Sequence, residues 1–181
     1  MAITRLGGAN AITGTLPAAN INDTSIGNIT ALPAGIGGKV LQVVSAVTTT
    51  ELDTTSTTYT DTNLSASITP SATSSKILIL TNQIIRARDL NSDDGVGYGL
   101  KLLRGSSGIY SGTQKYEYWL EVLGSNGLDK YERIVLNYQD SPSTISATTY
   151  KTQLALYNSG DRVAAQPGNM QSSIILMEIA G

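Results

Sequence analysis

Lys76-Ile77-Leu78-Ile79-Leu80-Thr81-Asn82-Gln83-Ile84-Ile85-Arg86-Ala87 is the strongest strand pattern in the chain. Its first half is apolar at consecutive positions, so both faces of a strand built from it are dry and the strand belongs in the middle of a sheet. The run is strand-sized. Like Ile174-Ile175-Leu176-Met177, it falls far short of the roughly 20 apolar residues of a spanning helix, and neither predicts membrane insertion.

The neighbouring text has the same character. Residues 39–47 alternate, with Leu41, Val43, Ser45 and Val47 on one face. A Thr/Ser-dense stretch over 48–75 carries Tyr59 and then Leu64, Ala66 and Ile68, which mark short strands; Thr suits an exposed sheet face, while Ser and Asn favour turns. Segments 98–104, 116–123, 133–138, 150–157 and 172–179 follow, each bounded by Gly, Asn, Asp, Ser or Pro. In 116–123 the alternation of Tyr116, Tyr118, Leu120 and Val122 argues strand against helix. About eight short strands at this spacing, with no convincing helix, predict an all-β, antiparallel β-sandwich, jelly-roll-like, over residues 39–181.

Residues 1–38 read differently. They hold seven glycines, no aromatic residue, and only Arg5 and Asp23 as charges. Ile12, Leu16, Ile21, Ile26, Ile29 and Leu32 recur every three to five residues, and the pairs Leu16-Pro17 and Leu32-Pro33 bias the backbone toward extended geometry. Too little apolar surface is present to offset the ordering entropy. The segment is either a disordered tail or an extended N-terminal arm that orders only against something else, and the Ile-rich, nearly uncharged spacing favours the arm. Gly35-Ile36-Gly37-Gly38 then forms a flexible joint.

Composition excludes much chemistry. The chain of 181 residues has no Cys, His or Phe, which removes thiol nucleophiles, imidazole bases, disulfides and Cys- or His-based zinc sites. Charged residues are only 14%, against a usual value of roughly 25%. Twelve basic and fourteen acidic residues give a net charge of -2, so no basic surplus predicts nucleic-acid binding. The chain is expected to be non-enzymatic, with no catalytic residues, cofactor or metal.

Four features bear on chemistry. Asp89-Leu90-Asn91-Ser92-Asp93-Asp94-Gly95 resembles the opening of a calcium loop, but its Gly comes one residue late and the twelfth position is Leu100 where a bidentate Glu is needed. It reads as a solvated loop. Gly95-Val96-Gly97-Tyr98-Gly99 lacks the following helix of a phosphate site and reads as a turn. Arg86, Arg88 and Asp89 read as a surface ion-pair group. Nine tyrosines, one tryptophan and no phenylalanine suit half-wet surfaces such as subunit interfaces or sugar platforms. Their densest group is Tyr110, Tyr116, Tyr118 and Trp119.

Several phrases resemble virion proteins of marine tailed bacteriophages. They are Met1-Ala2-Ile3-Thr4-Arg5-Leu6-Gly7-Gly8-Ala9-Asn10-Ala11-Ile12, Lys39-Val40-Leu41-Gln42-Val43-Val44, Leu64-Ser65-Ala66-Ser67-Ile68-Thr69-Pro70 with Ser74-Ser75-Lys76-Ile77-Leu78, Asp140-Ser141-Pro142-Ser143-Thr144 with Ala147-Thr148-Thr149-Tyr150, and Ile175-Leu176-Met177-Glu178-Ile179. The phrases are similar to the domain of cyanophage and pelagiphage fibre, spike and decoration proteins, and residues 86–137 have no counterpart in that likeness. The resemblance implies a β-sandwich, a homotrimer and a place on the virion. The last strand agrees from the residues alone: Ile174 and Leu176 take one face and Ile175, Met177 and Ile179 the other, so part of its surface should meet another subunit. The expectation is a trimeric capsid-decoration or head-fibre protein anchored by its arm, whose shortness favours this over a long tail fibre. The attachment and interface residues are Ile12, Leu16, Ile21, Ile26, Ile29, Leu32, Ile175, Met177 and Ile179. The alternative is a tail-fibre tip that binds a host surface receptor, glycan or protein.

Overall fold

The structure, a computed structural model, describes residues 39–90, 95–111, 118–120 and 128–181. Among them are eleven strands: β1 (Val40–Thr48), β2 (Leu52–Thr54), β3 (Thr60–Ile68), β4 (Lys76–Arg88), β5 (Val96–Arg104), β6 (Ser107–Ser111), β7 (Tyr118–Leu120), β8 (Asp129–Asp140), β9 (Thr148–Leu156), β10 (Arg162–Ala165) and β11 (Ser172–Ile179). All strand pairings are antiparallel. A 3-10 turn, Pro167–Asn169, precedes β11, and no helix of the described residues is long and apolar enough to cross a membrane.

The all-β sandwich is as expected, and β4 is its central strand. One edge of β4 pairs along its length with β8; the other pairs first with β11, then with β10. β1 extends the sheet beyond β11, and β2 beyond β10, giving six strands. The second sheet has five, in the order β3, β9, β5, with β6 and β7 sharing the far edge of β5.

Period-two alternation sends one side chain in two to the interior. β4 contributes Ile77, Ile79, Ile85 and Ala87, β11 contributes Ile174 and Leu176, and the facing sheet contributes Leu64, Ile68, Tyr98, Leu100, Tyr150 and Leu154. Truncating one of these to Ala costs about 2–5 kcal/mol in a core of this kind. The alternation of β1 points Val44 and Ala46 toward the core and leaves Leu41, Val43 and Val47 outside.

Three local readings need correction. The Thr/Ser-dense stretch holds the short β2 and one longer, nine-residue strand, β3, in which buried Thr62 pairs its hydroxyl with that of Thr152 at 2.5 Å. Asn63, at φ 64, sits where the β3 register shifts, a left-handed position that Asn tolerates. The Gly-rich run 95–99 opens β5 rather than forming a turn. A Cβ on Gly97 would lie 2.7 Å from the Trp119 ring, so the glycine makes room for an aromatic cover. Arg86 and Arg88 do not pair with Asp89. Arg86 grips Asp129 through Nε at 2.8 Å and Nη2 at 2.7 Å, Arg88 lies 3.7 Å from the same carboxylate, and Asp89 is buried. The cause is register: β8 sets Asp129 opposite Arg88.

At the sandwich corner the N–H of Ala180 donates to the carbonyl of Lys39 at 2.7 Å, so the chain enters β1 beside the point where it leaves β11.

Candidate functional site

On the outer face of the six-stranded sheet, β1, β11 and the first half of β4 build an apolar patch. Register places Val43, Met177 and Leu78 in one cross-strand row, and Ser45, Ile175 and Leu80 in the next. Ile179 pairs across to Lys76, and Val47 closes the patch at the other end of β1. Val43 is 56% exposed and Val47 61%, while Ile175, Met177, Ile179, Leu78 and Leu80 are half-buried by one another. Fully burying a Val, Leu or Ile side chain is worth about 1.5–3 kcal/mol. An exposed apolar patch of this kind is a candidate interaction surface.

The opposite outer face is built from polar cross-strand pairs. Asp61 accepts from Lys151 Nζ at 2.6 Å and Gln153 Nε2 at 2.8 Å, and Ser67 and Thr149 share a 2.7 Å hydroxyl contact. Lys101 stands 3.8 Å above the Tyr59 ring. Toward the start of β5, Trp119 and Tyr157 meet edge-on, 6.0 Å between ring centres, and both stay exposed.

Between the sheets, carboxylates fasten one layer to the other. Tyr98 of β5 donates to Glu132 of β8 at 2.8 Å, and Tyr150 of β9 donates to Asp140 of β8 at 2.7 Å. Burial, and then the carboxylate partner, pushes both phenols well up, so they remain protonated donors. For Glu132, burial would raise the carboxyl, but the bonds from Lys130 and Tyr98 hold it below the ordinary range.

Glu178 is fully buried and has no cation among its hydrogen-bond donors. Its Oε1 accepts from the Ser71 N–H at 2.7 Å and from the Ser71 and Ser75 hydroxyls at 2.6 Å each; its Oε2 accepts from Gln42 Nε2 at 2.6 Å. Burial pushes this carboxyl up, yet the bonds from Ser71, Ser75 and Gln42 outweigh it and bring the pKa down to about 2. This carboxylate ties β11 to β1 and to the β3–β4 connection. It is an anchor.

Of the residues expected at an interface, Ile175, Met177 and Ile179 share the outer face of β11. Ile12, Leu16, Ile21, Ile26, Ile29 and Leu32 lie outside the described residues, as do Asn91, Ser92, Asp93 and Asp94 of the calcium-like loop and Tyr116 of the aromatic group. Tyr118 stacks on Tyr98 at 5.2 Å between ring centres, and Tyr110 packs against the core. Sequence reasoning did not assign Leu41, Val43 and Val47 to the interface. Their alternation in β1 was the available signal, and only the pairing with β11 shows which face is outside.

No protein-family model matches the chain, and no curated protein matches it. Among solved structures it is similar to a chain of the infectious bursal disease virus particle, at 14% identity and TM-score 0.39, over 77% of this chain and 36% of that one. A subviral particle of the same virus gives 12% identity and TM-score 0.39, over 78% and 38%. Dimeric latent PorU from Porphyromonas gingivalis gives 12% identity and TM-score 0.41, over 81% and 14%. The chain thus spans well under half of each of these proteins, and likenesses this distant carry no argument about function.

Proposed function

We propose that the chain is a non-enzymatic structural component of a bacteriophage virion, a homotrimeric capsid-decoration or head-fibre protein anchored to other virion proteins by residues 1–38. The observation that carries this reading is the apolar outer face of the six-stranded sheet, where Val43, Met177, Leu78, Ile175 and Leu80 stand in adjacent rows. Covering that face with a neighbouring subunit supplies the burial that the isolated sandwich lacks. The absence of His and Cys, and carboxylates such as Glu178 and Asp140 held inside the sandwich, support a structural rather than a catalytic role.

Deleting residues 1–38 tests the division of labour. The truncated protein should retain a β-type circular dichroism spectrum and lose its place on purified particles. Incorporation of the truncated chain would put the docking surface on the sandwich and overturn the anchoring role.

The second reading, a tail-fibre tip that meets a host surface receptor, is favoured by the polar outer face of the five-stranded sheet and the exposed Trp119 and Tyr157 on it. Immunogold labelling of intact virions separates the two readings: label on the head supports the first, label at the tail tip the second.

A further inference from the structure

At the end of the sandwich where β5 stops, a shallow groove of about 410 Å³ is lined by Arg104, Gly105, Pro142, Thr144 and the run from Ser146 to Thr149. Arg104 reaches it from the last position of β5. Its Nη1 donates to Asp140 Oδ1 at 3.0 Å and Oδ2 at 2.9 Å, and to the Ser141 carbonyl at 3.4 Å. Asp140 is itself 7% exposed and takes the Tyr150 hydroxyl. The guanidinium is therefore held by one nitrogen against a fixed carboxylate. A guanidinium carries five N–H donors, two of them on Nη1. The other three, on Nε and Nη2, have no hydrogen-bond acceptor among the described residues, and the side chain remains 35% exposed. Those two nitrogens form the fork that binds a pair of oxygens side by side.

The rest of the lining selects the kind of oxygen pair. Asp140 already balances the charge of Arg104, and the other lining groups are neutral: the hydroxyl residues Thr144, Ser146, Thr148 and Thr149, and the Pro142 ring. The Thr144 hydroxyl accepts from the Ser146 N–H at 3.0 Å, which fixes the rim. Ser143 holds a positive φ of 52, a sparsely populated backbone state that shapes the same segment. An uncharged rim of hydroxyls, an apolar ring and an arginine fork offering donors suit a sugar with two adjacent hydroxyls better than a free anion.

We propose that this groove is a saccharide-binding site in which the Nε and Nη2 edge of Arg104 donates to a vicinal diol, Pro142 packs on the sugar face, and Asp140 positions the guanidinium. The site does not depend on where in the virion the chain sits, so it stands or falls separately from the decoration reading.

The test uses the full-length protein on a printed array of neutral hexose and uronic-acid oligosaccharides, followed by titration calorimetry with the best neutral binder. Ala147→Trp puts bulk into the groove and leaves both residues of the Arg104–Asp140 bridge in place. It should weaken binding by about tenfold or more, equivalent to about 1.4 kcal/mol, at an unchanged melting temperature. Arg104→Lys keeps a cation beside Asp140 but loses the fork, and should weaken binding by a similar factor. Absence of binding to every neutral oligosaccharide at millimolar concentration overturns the proposal. So does binding that survives both substitutions, which would move the sugar site elsewhere, to the Trp119 and Tyr157 pair for example.

Discussion

The two outer faces of this sandwich are built by the same alternation, and they differ most where β1, β11 and the first half of β4 make one of them apolar. On the six-stranded sheet the outward positions of β1, β11 and β4 are Val43, Met177 and Leu78 in one row and Ser45, Ile175 and Leu80 in the next. On the five-stranded sheet the outward rows are Asp61, Gln153 and Lys101, then Ser65, Lys151 and Leu103. The second face satisfies itself through hydrogen bonds and an ion pair. The first pairs its charges toward β8, β10 and β2, Arg86 with Asp129 and Arg162 with Asp53, but its β1–β11–β4 part leaves apolar surface in water, which stabilises nothing until something covers it.

The sharpest way to break the contrast is to wet the dry face. Val43→Asp combined with Val47→Asp should turn a native-mass trimer into a monomer. Each carboxylate would be buried at an interface without a partner, at on the order of 4 kcal/mol or a thousandfold in dissociation constant. The circular dichroism spectrum should not change, since both side chains already point outward. A wild-type protein that is monomeric at micromolar concentration sinks the comparison outright.

Next in size is the anchor beneath the dry face. Glu178→Gln should destabilise the fold by about 2–3 kcal/mol, because the amide nitrogen faces donors where the carboxylate accepts four bonds. The pH profile follows from the pKa of about 2. The folded carboxyl titrates below the ordinary range, so the unfolded chain binds more protons between about pH 5 and pH 2. Stability falls as pH falls through that window, and the Glu178 contribution, up to about 3 kcal/mol, is gone below it. Urea midpoints measured from pH 7 to pH 2 should show a steeper acid loss in wild type than in Glu178→Gln; equal slopes would mean another carboxylate carries the acid sensitivity.

Smallest of all should be surgery on the wet face. Lys151→Ala removes the 2.6 Å pair with Asp61, which is half exposed, and should cost about 0.5 kcal/mol or less with no change in oligomeric mass. A larger loss, or dissociation, would mean that this face too is covered in the assembly.

How much of this the sequence discloses depends on where each strand's partners are. β4 is legible because Ile77 to Leu80 are apolar on both faces, and a strand dry on both sides belongs in the centre. β11 is legible for the same reason. β8 is only half visible: 133–138 reads as strand, but Asp129, Lys130 and Glu132 extend it to Asp129–Asp140 through partners on β4 and β5 that lie far away in sequence. β2 and β10 are too short, at three and four residues, for alternation to register. The candidate surfaces follow the same logic. Ile175, Met177 and Ile179 could be read from β11 alone, whereas Val43 and Leu78 join them only through register. Arg104 and Asp140, 36 residues apart, meet only because the two sheets pack, and no spacing in the chain announces that.

The corner where Ala180 bonds Lys39 has a mechanical meaning. β1 and β11 run antiparallel from that corner, from the pair Val40 and Ile179 to the pair Thr48 and Ser172. A load applied between Lys39 and Gly181 therefore strains their backbone hydrogen bonds one after another, as a zipper opens. If tension reaches Lys39 while the sheet body is held instead, it runs along β1 and strains the whole ladder at once. The same strand pair is thus weak to peeling and strong to shear, so the route by which force enters the sandwich decides how much of it survives.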